Sequence, residues 1–155
     1  MSDIFTKAKR SFVMSRIRSR GNKDTELALA KLFRRHKITD WRRQVQISTP
    51  PRPAPRRGEG VKVRPDFIFR QVRLALFVDG CFWHGCPKHG AQPKVNRAFW
   101  KNKFARNRAR DVLVTRTLRR AGWRVLRIWE HTLRRATMKP ENEARLVLRI
   151  QRALE

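Results

Sequence analysis

Between residues 23 and 38 the apolar positions fall three and four apart. Leu29, Ala30, Leu32 and Phe33 form one stripe, and Asp24 or Thr25 is placed to cap it, so KDTELALAKLFRRHKI predicts an amphipathic helix. The next segment, DWRRQVQI, changes period: Trp41, Arg43, Val45 and Ile47 alternate with Arg42, Gln44 and Gln46, as in a strand. The pattern then vanishes over residues 48–60, which hold four prolines and two glycines and predict an exposed loop. VKVRPDFIFRQVRLALFVDG predicts a hairpin with strands over 61–69 and 72–78 and a tight turn around Arg70 and Gln71. The run Leu74 to Val78 is apolar without interruption, which suits a central strand covered on both faces. FWKNKFARNRARDVLVTRTLRRA predicts a long helix ended by Gly122, WRVLRIW another strand, and ENEARLVLRIQRALE a closing amphipathic helix. Residues 1–22 are basic and polar around Phe12, Val13, Met14 and Ile17 and read as an arm. The order α-β-β-β-α-β-α, without internal repeats, predicts one α/β domain over residues 1–155, a mixed sheet with helices on its faces.

A chain of 155 residues that is 40% hydrophobic is long enough for one domain with a real core. No apolar run approaches the roughly 20 residues that span a bilayer, and MSDIFTKAKRSF has no signal-peptide core, so a cytoplasmic, membrane-free protein is expected. Charge changes the picture more. Thirty-nine Lys and Arg against twelve Asp and Glu give a formal +27. Most of the cations are Arg, whose planar fork suits phosphate, so the expected partner is a nucleic acid. Charge does not separate an enzyme from a binder.

Where acids are scarce, an acid at an inward position needs a reason. Asp66 follows Pro65 in a strand otherwise made of Val and Phe, and Asp79 ends the apolar strand. Asp111 lies seven residues from both Phe104 and Leu118, on the inward stripe of its helix, and Glu26 shares the apolar side with Leu29 and Phe33. A buried carboxylate is costly unless paired, hydrogen-bonded or bound to a metal. Internal ion pairs to Arg explain any one of these acids; a hard cation such as Mg²⁺, which nucleases use to polarise a phosphoryl group, gives all four a common purpose.

The densest chemistry is DGCFWHGCPKH, residues 79–89, with both cysteines of the chain and two histidines. In a cytosolic protein Cys81 and Cys86, with His89 three residues later, point to a metal rather than a disulfide. Pro65-Asp66 followed by an apolar strand resembles the PD-(D/E)xK nuclease core, but the acid-x-Lys of the second strand is missing from RLALFVD. A general base must come from elsewhere, and His84, just beyond the strand end, is the candidate.

These stretches together resemble the very short patch repair (Vsr) endonucleases, bacterial enzymes that nick DNA beside a T·G mismatch. The resemblance runs from MSRIRSRGNKDTELAL through RPDF, VDGCFWHGCPKHG and FWKNKFARNRARD to GWRVLRIWEHTL. It implies a restriction-endonuclease-like α/β domain, a Mg²⁺-dependent nick 5′ of the mismatched thymidine, and a structural Zn²⁺. Asp66 then matches a Mg²⁺ ligand, and the backbone carbonyl of Val78 a second. His84 matches the catalytic histidine, Asp111 its paired acid, and Glu26 a further active-site acid. Cys81, Cys86, His89 and His131 match the zinc ligands, the last resting on the resemblance alone, and the Cys₂His₂ set departs in detail from the family. Phe82, Trp83 and Trp100 match an aromatic wedge entering the duplex beside the mismatch, and Met14 a residue reaching the minor groove; Trp123 and Trp129 are expected in the core. The resemblance also implies a monomer acting on double-stranded DNA, with a functional link to a DNA cytosine methyltransferase. The loop over 48–60 is longer than the family leads one to expect, and Asp79 stands open between a catalytic neighbour and a strand-end acid. Two alternatives remain: a related nuclease without mismatch preference, and a zinc-stabilised DNA-binding module without catalysis.

Overall fold

The computed structural model describes residues 25–49, 62–89, 93, 96–134 and 139–155. The expected arm over 1–22, with Met14, and the proline-rich stretch over 50–60 lie outside these. The described elements are α1 (Glu26–Arg35), β1 (Trp41–Arg43), β2 (Ile47–Ser48), β3 (Lys62–Val63), β4 (Phe67–Phe69), β5 (Leu74–Asp79), α2 (Arg97–Arg120), β6 (Arg124–Trp129), a 3₁₀ turn (Glu130–Thr132) and α3 (Pro140–Leu154).

A four-stranded mixed sheet in the order β1-β4-β5-β6 forms the centre. β4 is antiparallel to β1 and β5, while β5 and β6 run parallel, joined by the crossover helix α2. As its apolar run predicts, β5 is covered on both faces. Leu74 and Leu76 pack with Leu29 and Phe33 of α1 and Val147 and Ile150 of α3. Ala75 and Phe77, pointing the other way, pack with Ile68, Val114 and Leu118. Truncating a fully buried member such as Leu76 or Leu118 to Ala costs roughly 2–5 kcal/mol. A bond from the exposed Arg35 and one from His36 to Glu143, both at 2.8 Å, tie α1 to α3.

The two long strands expected over 40–47 and 61–69 are each broken. Gln44 adopts φ +54°, so β1 stays in the main sheet while Ile47 and Ser48, the latter expected in the loop, pair with β3 in a separate two-stranded sheet. Opposite, Arg64, Pro65 and Asp66 interrupt the second strand, since proline has no N–H to give a ladder. The breaks meet where the Gln44 N–H donates to the Asp66 carbonyl at 3.1 Å. Asp66 is therefore at a break rather than inside a strand.

Other boundaries move less. The turn takes residues 70–73, closed by the Arg73 N–H on the Arg70 carbonyl at 3.2 Å, so β5 begins at Leu74 and not at residue 72. Thr25 precedes α1 without a side-chain capping bond. α2 ends as expected at Gly122, whose φ of +79° lets Trp123 N–H reach back to the Leu118 carbonyl at 2.9 Å. Trp123 is partly buried against the α2 side of the core, but Trp129 belongs to neither core cluster and instead stacks on His131 at 6.4 Å and 16°. No helix among the described residues is long and apolar enough to cross a membrane.

Candidate active site

The broken strand, the end of β5 and the inward stripe of α2 enclose a cleft of about 530 Å³ lined by Asp66, Val78, His84 and Asp111, with Arg127 from β6 and the cations Lys62, Arg64, Lys103 and Arg110 around them. Asp66 reaches across to β5, where its Oδ2 accepts the Val78 N–H at 2.7 Å. Burial pushes its carboxyl up to about 6; the Val78 bond lowers it, and the carboxylates of Glu26 and Asp79 raise it further. Asp66 makes no ion pair among the described residues, and Arg127 lowers its carboxyl through charge only. Arg43 holds the buried Glu26 at 2.6 Å, and Arg127 holds Asp79 at 2.6 Å. Glu26 thus lies behind the cleft rather than in its lining, felt by Asp66 through charge alone.

His84 comes from the loop after β5. That loop coils tightly: the His84 N–H donates to the Gly80 carbonyl at 3.1 Å and the Cys86 N–H to the Cys81 carbonyl at 2.9 Å. Gly85 sits between them at φ +62°, a conformation that disfavours any side chain there. The ring is oriented from α2. Trp100, Phe104, Asn107, Asp111, Val114 and Leu118 recur at spacings of three and four, and this stripe brings Asp111 Oδ2 to 2.6 Å from His84 Nδ1. One turn earlier Asn107 donates from Nδ2 to the Trp83 carbonyl at 2.7 Å, pinning the same loop. Asn107 stands four residues before Asp111 on the same stripe, a placement that marks it in the sequence. Asp79, buried at the end of β5, lies 3.9 Å from His84 Nδ1, but both its oxygens are taken by Arg127. Asp79 is thus ion-paired to Arg127 rather than bonded to backbone amides.

The loop is also gathered from below. Cys81, Cys86, His89 and His131 bring one donor atom each within 4.8 Å of one another. His131 Nδ1 is 3.2 Å from Cys81 Sγ and 3.5 Å from Cys86 Sγ, and His89 Nδ1 is 3.9 Å from Cys86 Sγ. A tetrahedral zinc with Cys and His ligands sets donors roughly 3.3–3.8 Å apart, so the set fits that ion. Both thiols are buried and free of disulfide. Burial pushes the Cys81 thiol up, and burial with His89 and Lys88 holds His131 below its usual range. His131 is carried by the 3₁₀ turn after β6, next to Glu130, which accepts the Cys81 N–H at 3.1 Å.

Phe82, Trp83 and Trp100 also converge. Phe82 lies 5.1 Å from both tryptophans, edge to face, and all three remain partly exposed above the buried Phe104. Phe99, 60% exposed and 5.4 Å from Trp100, adds a fourth ring that the sequence reading passed over. Among the described residues the expected site residues thus fall into three groups, the cleft, the Cys and His cluster and the rings, with Glu26 set back from the cleft.

Comparison with known proteins bears on what such a site does. A family model described as DNA mismatch endonuclease Vsr matches residues 56–89. A type II nicking enzyme of Neisseria meningitidis serogroup A, V.NmeAIP, is 33% identical over 159 residues, covering 99% of this chain and 100% of the relative. The type II nicking enzyme V.NaeI of Lentzea aerocolonigenes is 55% identical over 76 residues, 49% of this chain and 46% of its own length. The DNA mismatch endonuclease Vsr of Escherichia coli K12 is 39% identical over 72 residues, 46% of each.

Proposed function

The chain belongs to the Vsr family of DNA endonucleases, and on that premise we propose that it nicks one strand of duplex DNA on the 5′ side of the thymidine in a T·G mismatch, opening repair of deaminated 5-methylcytosine. The observation that carries the reading is the meeting of Asp66, His84 and Asp111 in one cleft rimmed by Lys and Arg. A non-catalytic binder has no use for a histidine held by one carboxylate beside another that lacks a cation.

Asp111 accepts a hydrogen bond from His84 Nδ1–H, which fixes the tautomer and leaves Nε2 as the base that takes a proton from the attacking water. Asp66 and the Val78 carbonyl would hold Mg²⁺; a buried carboxylate without an ion-pair partner suits that cation. When bound, the ion supplies stabilisation of charge on the phosphoryl oxygens. Glu26 acts from behind, adding negative potential at Asp66 while Arg43 keeps it in place. Cys81, Cys86, His89 and His131 would hold structural zinc, fastening the loop that carries His84 to the end of β6.

Phe82, Trp83 and Trp100 form the group of rings that enters the base stack beside the mismatch, where unstacking costs least. Met14 of the arm approaches from the minor groove in this reading. The net charge of +27 supplies sequence-independent grip on phosphates. The protein acts as a monomer in the cytoplasm, alongside a DNA cytosine methyltransferase.

The relatives named as nicking enzymes favour a second reading, nicking without a mismatch requirement. One experiment separates them: matched and T·G duplexes, each labelled on either strand, are incubated with protein and Mg²⁺. The proposal expects cleavage of the thymidine strand of the mismatched duplex alone. Equal nicking of matched DNA would establish the second reading, and no nicking of either would exclude both.

A further inference from the structure

Two carboxylates lie within reach of His84, and only one of them orients it. Asp111 Oδ2 is 2.6 Å from Nδ1, while Asp79 Oδ1 is 3.9 Å from the same nitrogen. The difference traces to Arg127. In the parallel β5–β6 register Arg127 stands beside Phe77, on the face that α2 covers, and its guanidinium lies 5.0 Å over that ring. Nε donates to Asp79 Oδ2 at 2.7 Å and Nη2 to Asp79 Oδ1 at 2.6 Å. The same Nη2 lies 2.8 Å from Asp111 Oδ1. Both oxygens of Asp79 are thereby engaged by Arg127, and Asp111 is anchored by one oxygen with the other left for the histidine. Burial opposes the charge on Arg127, and the two acids outweigh it.

We infer that Arg127 is the positioning residue of the site: by closing Asp79 and anchoring Asp111 it selects which acid orients His84. The inference rests on the proposed role of His84 as the base. It is specific to a planar fork. A lysine keeps the charge but has a single nitrogen, which cannot hold both oxygens of Asp79 and reach Asp111.

Arg127→Met alone leaves a buried acid uncompensated, so the test is run in Asp79→Asn protein, where that penalty is absent. In this background Arg127→Met is expected to lower the single-turnover nicking rate on a T·G duplex by on the order of 10- to 100-fold, with DNA affinity, metal content and melting temperature held. Arg127→Lys should preserve stability and not restore the rate. With Asp111→Asn also present, adding Arg127→Met should change the rate less than about 2-fold, because the two act through one contact. An unchanged rate in Asp79→Asn/Arg127→Met protein, or an equal loss with and without Asp111, would overturn the assignment.

A second readout does not depend on activity. Nitrogen-15 NMR of His84 should show one tautomer, protonated and hydrogen-bonded at Nδ1, in Asp79→Asn protein, and a mixture once Arg127 is Met. If no protein nicks but the tautomer responds in this way, the functional reading fails and the positioning role stands. An unresponsive tautomer overturns the positioning role itself.

Discussion

His84 Nδ1 and Asp111 Oδ2 lie 2.6 Å apart across 27 residues of sequence, one on the loop after β5 and the other midway along α2. The contact depends on two independent frames: the helical stripe that turns Asp111 inward, and the coil that turns His84 toward it. Asp111→Asn keeps the shape and one hydrogen bond but loses the charge that supports the ring. It should slow nicking by less than His84→Ala, with DNA affinity retained. The double variant should be scarcely slower than His84→Ala alone, since Asp111 acts through the histidine. Fully multiplicative losses in single-turnover kinetics would place Asp111 in a separate role.

The Cys₂His₂ cluster predicts about one zinc per chain in purified protein. Cys81→Ala and Cys86→Ala should each lose the metal and lower the melting temperature by several degrees, because the three remaining donors lose their common partner. Elemental analysis and thermal unfolding read both. A metal-free wild type with undiminished stability would remove the zinc from the account.

Asp66 carries a stability signature of its own. Burial raises its folded pKa from 3.8 to about 6, so the folded state binds the proton more tightly than the unfolded state between those values. The associated stability is fully present below pH 3.8 and is lost as pH rises through about 6. In Mg²⁺-free buffer Asp66→Asn should therefore be more stable than wild type at pH 7, by up to about 3 kcal/mol, with the gain disappearing near pH 4. Added Mg²⁺ should narrow the gap by binding the wild-type carboxylate. Urea unfolding at several pH values tests this; a variant less stable than wild type at pH 7 would contradict it. The same substitution should abolish nicking while leaving DNA binding in place.

How far these features were legible in the chain depends on what set them. The apolar run from Leu74 to Val78 announced a strand buried on both faces, and spacing alone turned Asp111 toward Phe104 and Leu118. Both signals are periodic, and burial follows period. The break at Gln44 was hidden because alternation continues across a residue whose φ is positive, whereas the break at Pro65 carried its own signal in a proline that cannot donate to a ladder. His131 was unreadable as a metal ligand without the family resemblance, since its partners lie some 45 residues away. Arg127 was missed for a different reason. Between Leu126 and Ile128 it reads as a solvent-facing strand residue, and only the parallel register beside β5 turns it onto Asp79.

The partly exposed rings of Phe82, Trp83 and Trp100 predict a loss of discrimination rather than of grip. Each Ala substitution should reduce the preference for T·G over matched duplex more than it reduces overall affinity. Titrations of both duplexes at one fixed salt concentration measure this, because phosphate contacts vary steeply with salt. Full preference in all three variants would leave the rings as packing only.

The central claim is that His84 is the base that activates water for DNA strand cleavage. Its most direct measurement is the single-turnover nicking rate of His84→Ala on a strand-labelled T·G duplex, at saturating protein and Mg²⁺, with duplex affinity and zinc content measured on the same sample. The account predicts a rate lower by at least about 100-fold, with affinity and zinc unchanged. Nicking by His84→Ala within a few-fold of wild type would contradict it.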